Sequence, residues 1–97
     1  MEKTIVLNVE YTMKPGGAEG FVREVTEIGV LQDIRSHQGC LKYDYYYAAE
    51  GNKLMLVEWW TDQAALDKHL AEPCMDTLRT IKDKYATGTT VEKYPVL

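Results

Sequence analysis

The most informative segment of this chain is LMLVEWWTDQAALDKHL, residues 54–70. Its first seven residues are apolar except for Glu58 and end in two tryptophans, a composition typical of a buried strand. Asp62 follows as a good N-cap for a helix, and that short helix carries His69. The stretch therefore predicts a strand that leads directly into a helix.

Upstream, every second residue from Ile5 to Met13 is apolar, and the residues between them are polar apart from Val6. This period of two predicts a first strand that Pro15-Gly16-Gly17 ends. Spacings of three and four then predict one helix about five turns long. Its apolar face carries Phe21, Val25, Ile28, Leu31 and Ile34. Gly39 is expected to terminate this helix in the left-handed conformation.

A second strand is predicted from Cys40 to about Ala48, and turn residues 50–53 join it to the strand Leu54–Trp60 as a hairpin. Pro73 fits the first turn of a further helical segment, whose apolar positions are Met75, Leu78, Ile81 and Tyr85. Thr89–Tyr94 reads as the last strand, terminal because Pro95 cannot donate to a ladder.

The predicted order is β-α-β-β-α-β, an α+β ferredoxin-like fold with a four-stranded antiparallel sheet and both helices on one face. We expect one domain over residues 1–97. The third strand is apolar on both faces, although a sheet covered on one face only should be polar on the other. The sequence therefore predicts a homodimer built on the uncovered face.

Composition and charge argue against several classes of partner. The 97 residues have a net charge of −4, which argues against a nucleic-acid or anionic-membrane partner. No apolar run approaches the roughly 18 residues of a membrane span. The first residues lead directly into a strand, so we expect no leader peptide and a cytoplasmic location.

The two cysteines leave two interpretations open. His37, Cys40, His69 and Cys74 could be four zinc ligands, but their spacing is loose. We expect no metal and two free thiols that act as small buried hydrophobes.

The motifs carry a family resemblance over essentially the whole chain. They are Gly39-Cys40-Leu41-x-Tyr43, Glu58-x-Trp60, Leu66-x-x-His69-Leu70 and Pro73-x-Met75. This pattern resembles the antibiotic biosynthesis monooxygenase family, particularly its quinol monooxygenase-like members. The resemblance implies a dimeric α+β barrel with one pocket per subunit between sheet and helices. The chain departs from it at Cys74, where relatives commonly have a histidine.

The activity that the resemblance implies is cofactor-independent oxidation of a small quinol or phenol by O₂. The same scaffold also occurs in an isomerase of autoinducer-2 breakdown, so a cofactor-free isomerase is the alternative. A non-catalytic dimer that binds a small ligand is a third reading. Haem is disfavoured because Arg79 falls where haem-degrading relatives have a ligating histidine. The absence of a glycine-rich phosphate loop gives no indication of flavin or nicotinamide.

His69 and Glu58 are the predicted catalytic residues. An imidazole titrates near neutrality and could take a proton from a phenol. A carboxyl on a buried strand could have a raised pKa that suits a base. The structural alternatives are a core histidine bonded to a backbone carbonyl and a carboxylate bonded across a dimer interface.

The predicted substrate-binding residues are mainly aromatic or amide side chains that could hold a ring or its hydroxyl. They are Trp60, Tyr43, Tyr45, Asn8, Met75 and Arg79. The tyrosines could equally be interface packing, Asn8 could face solvent, and Arg79 could be an ordinary exposed helical arginine. We expect a cavity of a few hundred Å³ within reach of His69.

Overall fold

The computed structural model describes residues 3–96, which form four strands and four helices. The predicted domain also includes residues 1, 2 and 97, and the expected absence of a leader peptide concerns the first of these. All three lie outside the described residues. The elements are β1 Thr4–Met13, α1 Gly17–Glu27, α2 Val30–Arg35, β2 Cys40–Tyr47, β3 Lys53–Trp60, α3 Gln63–Leu70, α4 Cys74–Tyr85 and β4 Ala86–Val96.

The strands form one antiparallel sheet in the order β2-β3-β1-β4. The predicted ferredoxin-like α+β fold is therefore confirmed, as is the β2–β3 hairpin. β4 is an edge strand, as predicted, but it is longer than the predicted Thr89–Tyr94 because its pairing with β1 continues to Val96. Pro95 is tolerated opposite Ile5 because an edge strand has one unpaired side.

The prediction of one long helix after β1 was wrong. The chain forms α1 and α2 instead, separated at Gly29, whose φ of 84° is left-handed. The apolar spacing continues through Ile28, yet that side chain is 53% exposed. Glycine enters the left-handed region at little steric cost. The chain therefore changes direction there, and Val30, Leu31 and Ile34 are buried on α2.

The core lies between the helices and one face of the sheet. On β3 the inward side chains are Leu54, Leu56, Glu58 and Trp60, because successive strand residues point to opposite faces. Trp60 is fully buried, whereas Trp59 is 41% exposed on the other face. Only one of the two tryptophans therefore reaches the interior, as the alternation predicts.

The sheet face away from the helices carries several apolar side chains beside polar ones such as Asn8, Glu10 and Lys42. Val6, Met55 and Val57 lie on this face and are half-buried by other side chains of the same chain. Three larger side chains on the same face are exposed, namely Tyr46, Trp59 and Tyr94. None of the helices within residues 3–96 has the length and apolar character needed to cross a membrane.

Candidate active site

Glu58 is a buried carboxyl near the C-terminal end of β3, on the face toward the helices. Its side chain is 6% exposed, and Trp60 Nε1 donates a hydrogen bond to its Oε1 at 3.0 Å. Burial raises the pKa of Glu58 to about 7, and the hydrogen bond from Trp60 opposes that rise. The carboxyl can therefore accept and release a proton near neutral pH, as a general base must.

Three tyrosines from the neighbouring strands accompany Glu58. Burial raises the pKa of Tyr11, Tyr43 and Tyr45 well above that of an ordinary phenol, and the charge of Glu58 raises each further. The phenols therefore stay protonated at neutral pH. The rings of Tyr43 and Tyr45 pack edge to face at 5.9 Å between centroids.

The Tyr45 hydroxyl is the unusual group in this cluster. It is buried and makes no hydrogen bond of good geometry within residues 3–96, although the Tyr43 hydroxyl is close enough to lower the Tyr45 pKa against the rise caused by burial. A buried hydroxyl without a partner is costly, so such a group is a natural place for a polar atom of a ligand.

His69 packs against this cluster from α3. Asp62 caps that helix by accepting a hydrogen bond from the Ala65 backbone N–H at 2.8 Å. The His69 ring is 1% exposed and stacks on Trp60, with 4.3 Å between centroids and 27° between planes. Burial lowers the pKa of His69 to about 4, and the nearby His37 and Arg79 lower it further. The imidazole is therefore neutral at pH 7.

The partner of His69 is the other histidine of the chain. The Nδ1 atoms of His37 and His69 lie 2.9 Å apart, so one ring donates and the other accepts. The sequence interpretation considered His37 only as a zinc ligand. The signal for this pairing was weak, because His37 lies 32 residues away in a loop after α2.

His37 also faces outward to a second group of polar side chains. Its Nε2 lies 3.5 Å from Asp33 Oδ1 and 3.7 Å from Cys74 Sγ. Burial, followed by the effect of Asp33, raises the pKa of the Cys74 thiol to about 11. Cys40 does not belong to this group. Both thiols are free and partly exposed, rather than buried as the sequence predicted.

The structure brings together five of the eight predicted site residues, namely Glu58, Trp60, His69, Tyr43 and Tyr45. Met75 is buried in the core beneath them. Arg79 is half-exposed and pairs with Asp76 at 2.9 Å, although its charge acts on His69. Asn8 lies on the opposite face of the sheet, between Val57 and Glu92.

The expected cavity within reach of His69 is not among the clefts described for residues 3–96, and the cluster is closed in this conformation. Clefts of about 200, 250 and 60 Å³ indent the surface, and none of the three is lined by Glu58, Trp60 or His69. The second cleft is lined by Arg35, Cys40 and residues 41–44. Tyr43 therefore lines this cleft and also places its ring 5.9 Å from that of His69.

Comparisons with known proteins agree with this architecture. The family model described as antibiotic biosynthesis monooxygenase matches residues 4–79. The Mycobacterium tuberculosis protein named "Putative monooxygenase Rv0793" is 41% identical over 44 residues, a match that spans 45% of this chain and 44% of that protein. The chain therefore matches less than half the length of this relative in sequence.

Solved structures match over nearly the whole chain. The structure of Rv0793 superposes with a TM-score of 0.81 at 23% identity and covers 97% of this chain and 95% of its own. PA3566 from Pseudomonas aeruginosa gives 0.83 at 23% identity, with 100% and 97% covered. At such identities these matches establish the fold alone. The family model spans most of the chain, including β1, β3 and the histidine helix α3, and the chain therefore belongs to the antibiotic biosynthesis monooxygenase family.

Proposed function

We propose that this protein is a cofactor-independent monooxygenase that oxidises a small quinol or phenol with O₂. The observation that carries the proposal is that one buried cluster holds both a carboxyl of pKa about 7 and the Tyr45 hydroxyl, which makes no hydrogen bond of good geometry within residues 3–96. A phenolic substrate supplies what both groups need, since its O–H can donate to Glu58 and its oxygen can accept from Tyr45. Membership of the family supports the same chemistry.

Glu58 is the better proton acceptor of the two candidates. A base is most effective when its pKa lies near the working pH, which describes Glu58 and not His69, whose pKa is about 4. His69 then acts as a neutral hydrogen-bonding group that holds the Trp60 ring in place by stacking. In this assignment both predicted residues take part in the site, and Glu58 is the one that accepts the proton.

The reaction needs no electron donor besides the substrate. Glu58 takes the phenolic proton, and the electron-rich ring carbon then forms a C–O bond to O₂. Loss of the C–H proton and cleavage of the O–O bond leave a carbonyl on that carbon, and the second oxygen atom departs as water with the two protons. The substrate loses four electrons and O₂ gains four. The protein supplies the base, an aromatic enclosure and the exclusion of water.

Substrate entry requires a movement, because Glu58, Trp60 and His69 are almost inaccessible in the closed cluster. The Tyr43 strand separates the cluster from the 250 Å³ cleft beside Arg35. Arg35 Nε donates to the Tyr43 carbonyl at 2.9 Å, which holds the backbone of this strand while the side chains adjust.

We also propose that the protein works as a homodimer built on the uncovered sheet face. Exposed Trp59, Tyr46 and Tyr94 give this face an apolar patch, and such patches on soluble proteins commonly mark interaction sites. The partner copy would cover β3, the strand that carries Glu58 and Trp60 on its other side.

The test is O₂ consumption with a panel of hydroquinones and phenols. Glu58→Gln should reduce the rate by about 10²- to 10⁴-fold, the usual effect of losing a base. In the wild type, kcat/KM should rise with pH up to about 7 and then level off, because the ionised carboxyl is the active form. Glu27→Gln, the same change at an exposed helical position, should leave the rate unchanged.

The alternatives predict different outcomes. Unchanged turnover in Glu58→Gln would remove Glu58 from the mechanism. Deuterium exchange into a hydroxy-ketone substrate without O₂ consumption would favour the isomerase. Binding of aromatic ligands without either reaction would favour a non-catalytic binding protein.

A further inference from the structure

We propose that Asp33, His37 and Cys74 form a binding site for one divalent transition-metal ion of the zinc class. The ligand atoms are Asp33 Oδ1, His37 Nε2 and Cys74 Sγ. This site is separate from the chemistry proposed for Glu58, and it differs from the four-ligand site considered from the sequence because Asp33 takes part and Cys40 does not.

The spacing of the three atoms matches a tetrahedral ion. All three ligand atoms lie within 4.8 Å of one another, with 3.5 Å from His37 Nε2 to Asp33 Oδ1 and 3.7 Å to Cys74 Sγ. Zinc bonds of about 2.0 Å to N and O and about 2.3 Å to S, at tetrahedral angles, separate N from O by about 3.3 Å and N from S by about 3.5 Å. The two distances from His37 therefore need to change by only a few tenths of an ångström, and Asp33 and Cys74 already lie within 4.8 Å of each other.

The fold holds these ligands from two elements that pack against each other. Asp33 lies on α2, and His37 follows four residues later in the loop. Cys74 is the first residue of α4. Asp33 is 55% exposed, whereas the His37 side chain is 10% exposed, so an ion would reach the site from solvent on the Asp33 side.

The buried histidine pair orients the His37 ring for this role. Metal-bound histidines usually donate their other ring N–H to a nearby acceptor, which fixes the tautomer. His37 Nδ1 lies 2.9 Å from His69 Nδ1, so donation from His37 leaves a lone pair on Nε2 that faces Asp33 and Cys74. The sequence pattern shows none of this, because the contact joins loop and helix residues far apart in the chain.

The donor set and the local charge select the class of ion. A mixed nitrogen, sulfur and oxygen set suits zinc and similar transition metals, while magnesium and calcium prefer oxygen alone. Asp33 and Glu72 act electrostatically on Cys74 as negative groups. Binding releases the thiol proton, and the carboxylate and thiolate together then neutralise a divalent ion. Three protein ligands leave the fourth tetrahedral position to solvent or to a small ligand.

A metal ion bound to His37 would also affect His69 in the buried cluster. With the metal on His37 Nε2, the proton of that ring must stay on Nδ1. His69 Nδ1 is then the acceptor, and the remaining proton of the neutral His69 ring is on Nε2. A surface metal would thus set the tautomer of the imidazole that stacks on Trp60.

The test uses cobalt(II) and zinc with the reduced full-length protein in a non-chelating phosphine reductant. Cobalt(II) should give a thiolate charge-transfer band and the intense visible bands of a tetrahedral ion, at one ion per chain. Cys74→Ser should abolish the charge-transfer band and weaken zinc binding by at least about 100-fold, the upper range for loss of a group that merely supports a ligand. Cys40→Ser is the matched control and should bind as the wild type does.

Asp33→Asn keeps the proposal falsifiable if Cys74→Ser fails to fold, since this exposed residue changes by one atom. It should weaken zinc binding at least about tenfold while thermal unfolding without metal stays unchanged. Nitrogen-15 spectra of the rings should show zinc on His37 Nε2 and a proton on His69 Nε2. The site is excluded if millimolar zinc does not bind, if the thiolate band survives in Cys74→Ser, or if Cys40→Ser removes it.

Discussion

At the scale of single residues, burial acts on Glu58 and His69 in opposite directions. Removal from water disfavours the charged form of either group, so the pKa of the carboxyl rises to about 7 and that of the imidazole falls to about 4. The histidine that the sequence favoured as a base is therefore poorly suited to the task. The carboxyl, which alternation along β3 places beside Trp60, is well suited to it.

The raised pKa of Glu58 predicts a pH-dependent effect of Glu58→Gln on stability. The folded state holds the Glu58 proton more tightly than the unfolded state, so this contribution is fully present below pH 4.5 and is lost as pH rises through about 7. Glutamine does not titrate. Between pH 5 and 8 the free energy of unfolding of Glu58→Gln should therefore rise by about 2–3 kcal/mol relative to wild type.

Urea unfolding at the two pH values measures this difference. His69 contributes in the opposite sense, because its lowered pKa costs stability as pH falls from 6.5 through about 4. That contribution is common to both proteins and cancels in the comparison. A difference that stays constant from pH 5 to 8 would show that Glu58 titrates normally in the fold.

At the scale of elements, the junction between α2 and β2 depends on Gly39. Its φ of 85° is left-handed, as the sequence predicted for this position, although α2 ends earlier at Arg35. A Cβ on Gly39 would overlap the Cβ of Ala65 on α3 and approach Thr61 Oγ1 to 2.6 Å. This glycine therefore sets both the turn and the distance between the loop and the histidine helix.

Gly39→Ala should destabilise the protein by about 2–4 kcal/mol, which combines left-handed strain with overpacking. Gly29→Ala is the matched control, because its φ is also left-handed but its added Cβ meets nothing within 4 Å. Gly29→Ala should lower the free energy of unfolding by about 1–2 kcal/mol, which is the cost of the left-handed backbone alone. Urea unfolding of both variants separates the two effects. Equal losses of stability in the two variants would mean that the close approach of Gly39 to Ala65 on α3 does not contribute.

The start of α3 gives a second prediction at this scale. Asp62→Ala removes the side-chain acceptor of the Ala65 N–H and should cost about 1 kcal/mol. Asp67→Ala, which removes an exposed hydrogen bond from Gln63 in the same helix, should cost less than about 0.5 kcal/mol. Thermal unfolding compares the two. A larger loss in Asp67→Ala would contradict the capping role.

At the scale of the whole molecule, helices cover one sheet face, whereas the other face exposes the large side chains of Tyr46, Trp59 and Tyr94. We predict a homodimer, with a mass about twice the 11.1 kDa of the chain by sedimentation at low micromolar concentration. Trp59→Arg should shift the protein to the monomer, because it places a charge in the apolar patch. Ile28→Arg changes a residue at the end of α1 that is 53% exposed, more than the 41% of Trp59, and it should leave the dimer intact. A monomeric wild type would rule out the proposed assembly.

Local sequence signals were enough to predict the order of the strands along the chain, the hairpin, the N-cap at Asp62, a helix start near Pro73, and the opposite directions of Trp59 and Trp60. These follow from alternation, spacing and turn residues, which are local signals. Only the tertiary structure decided that Gly29 divides the first helix, since either side of that break has the same apolar spacing. Only the fold joined His37 to His69 and to Asp33 and Cys74, because contacts between distant segments leave no periodic trace. The pKa values of Glu58 and His69 likewise depend on how much water packing removes, which is a property of the whole core.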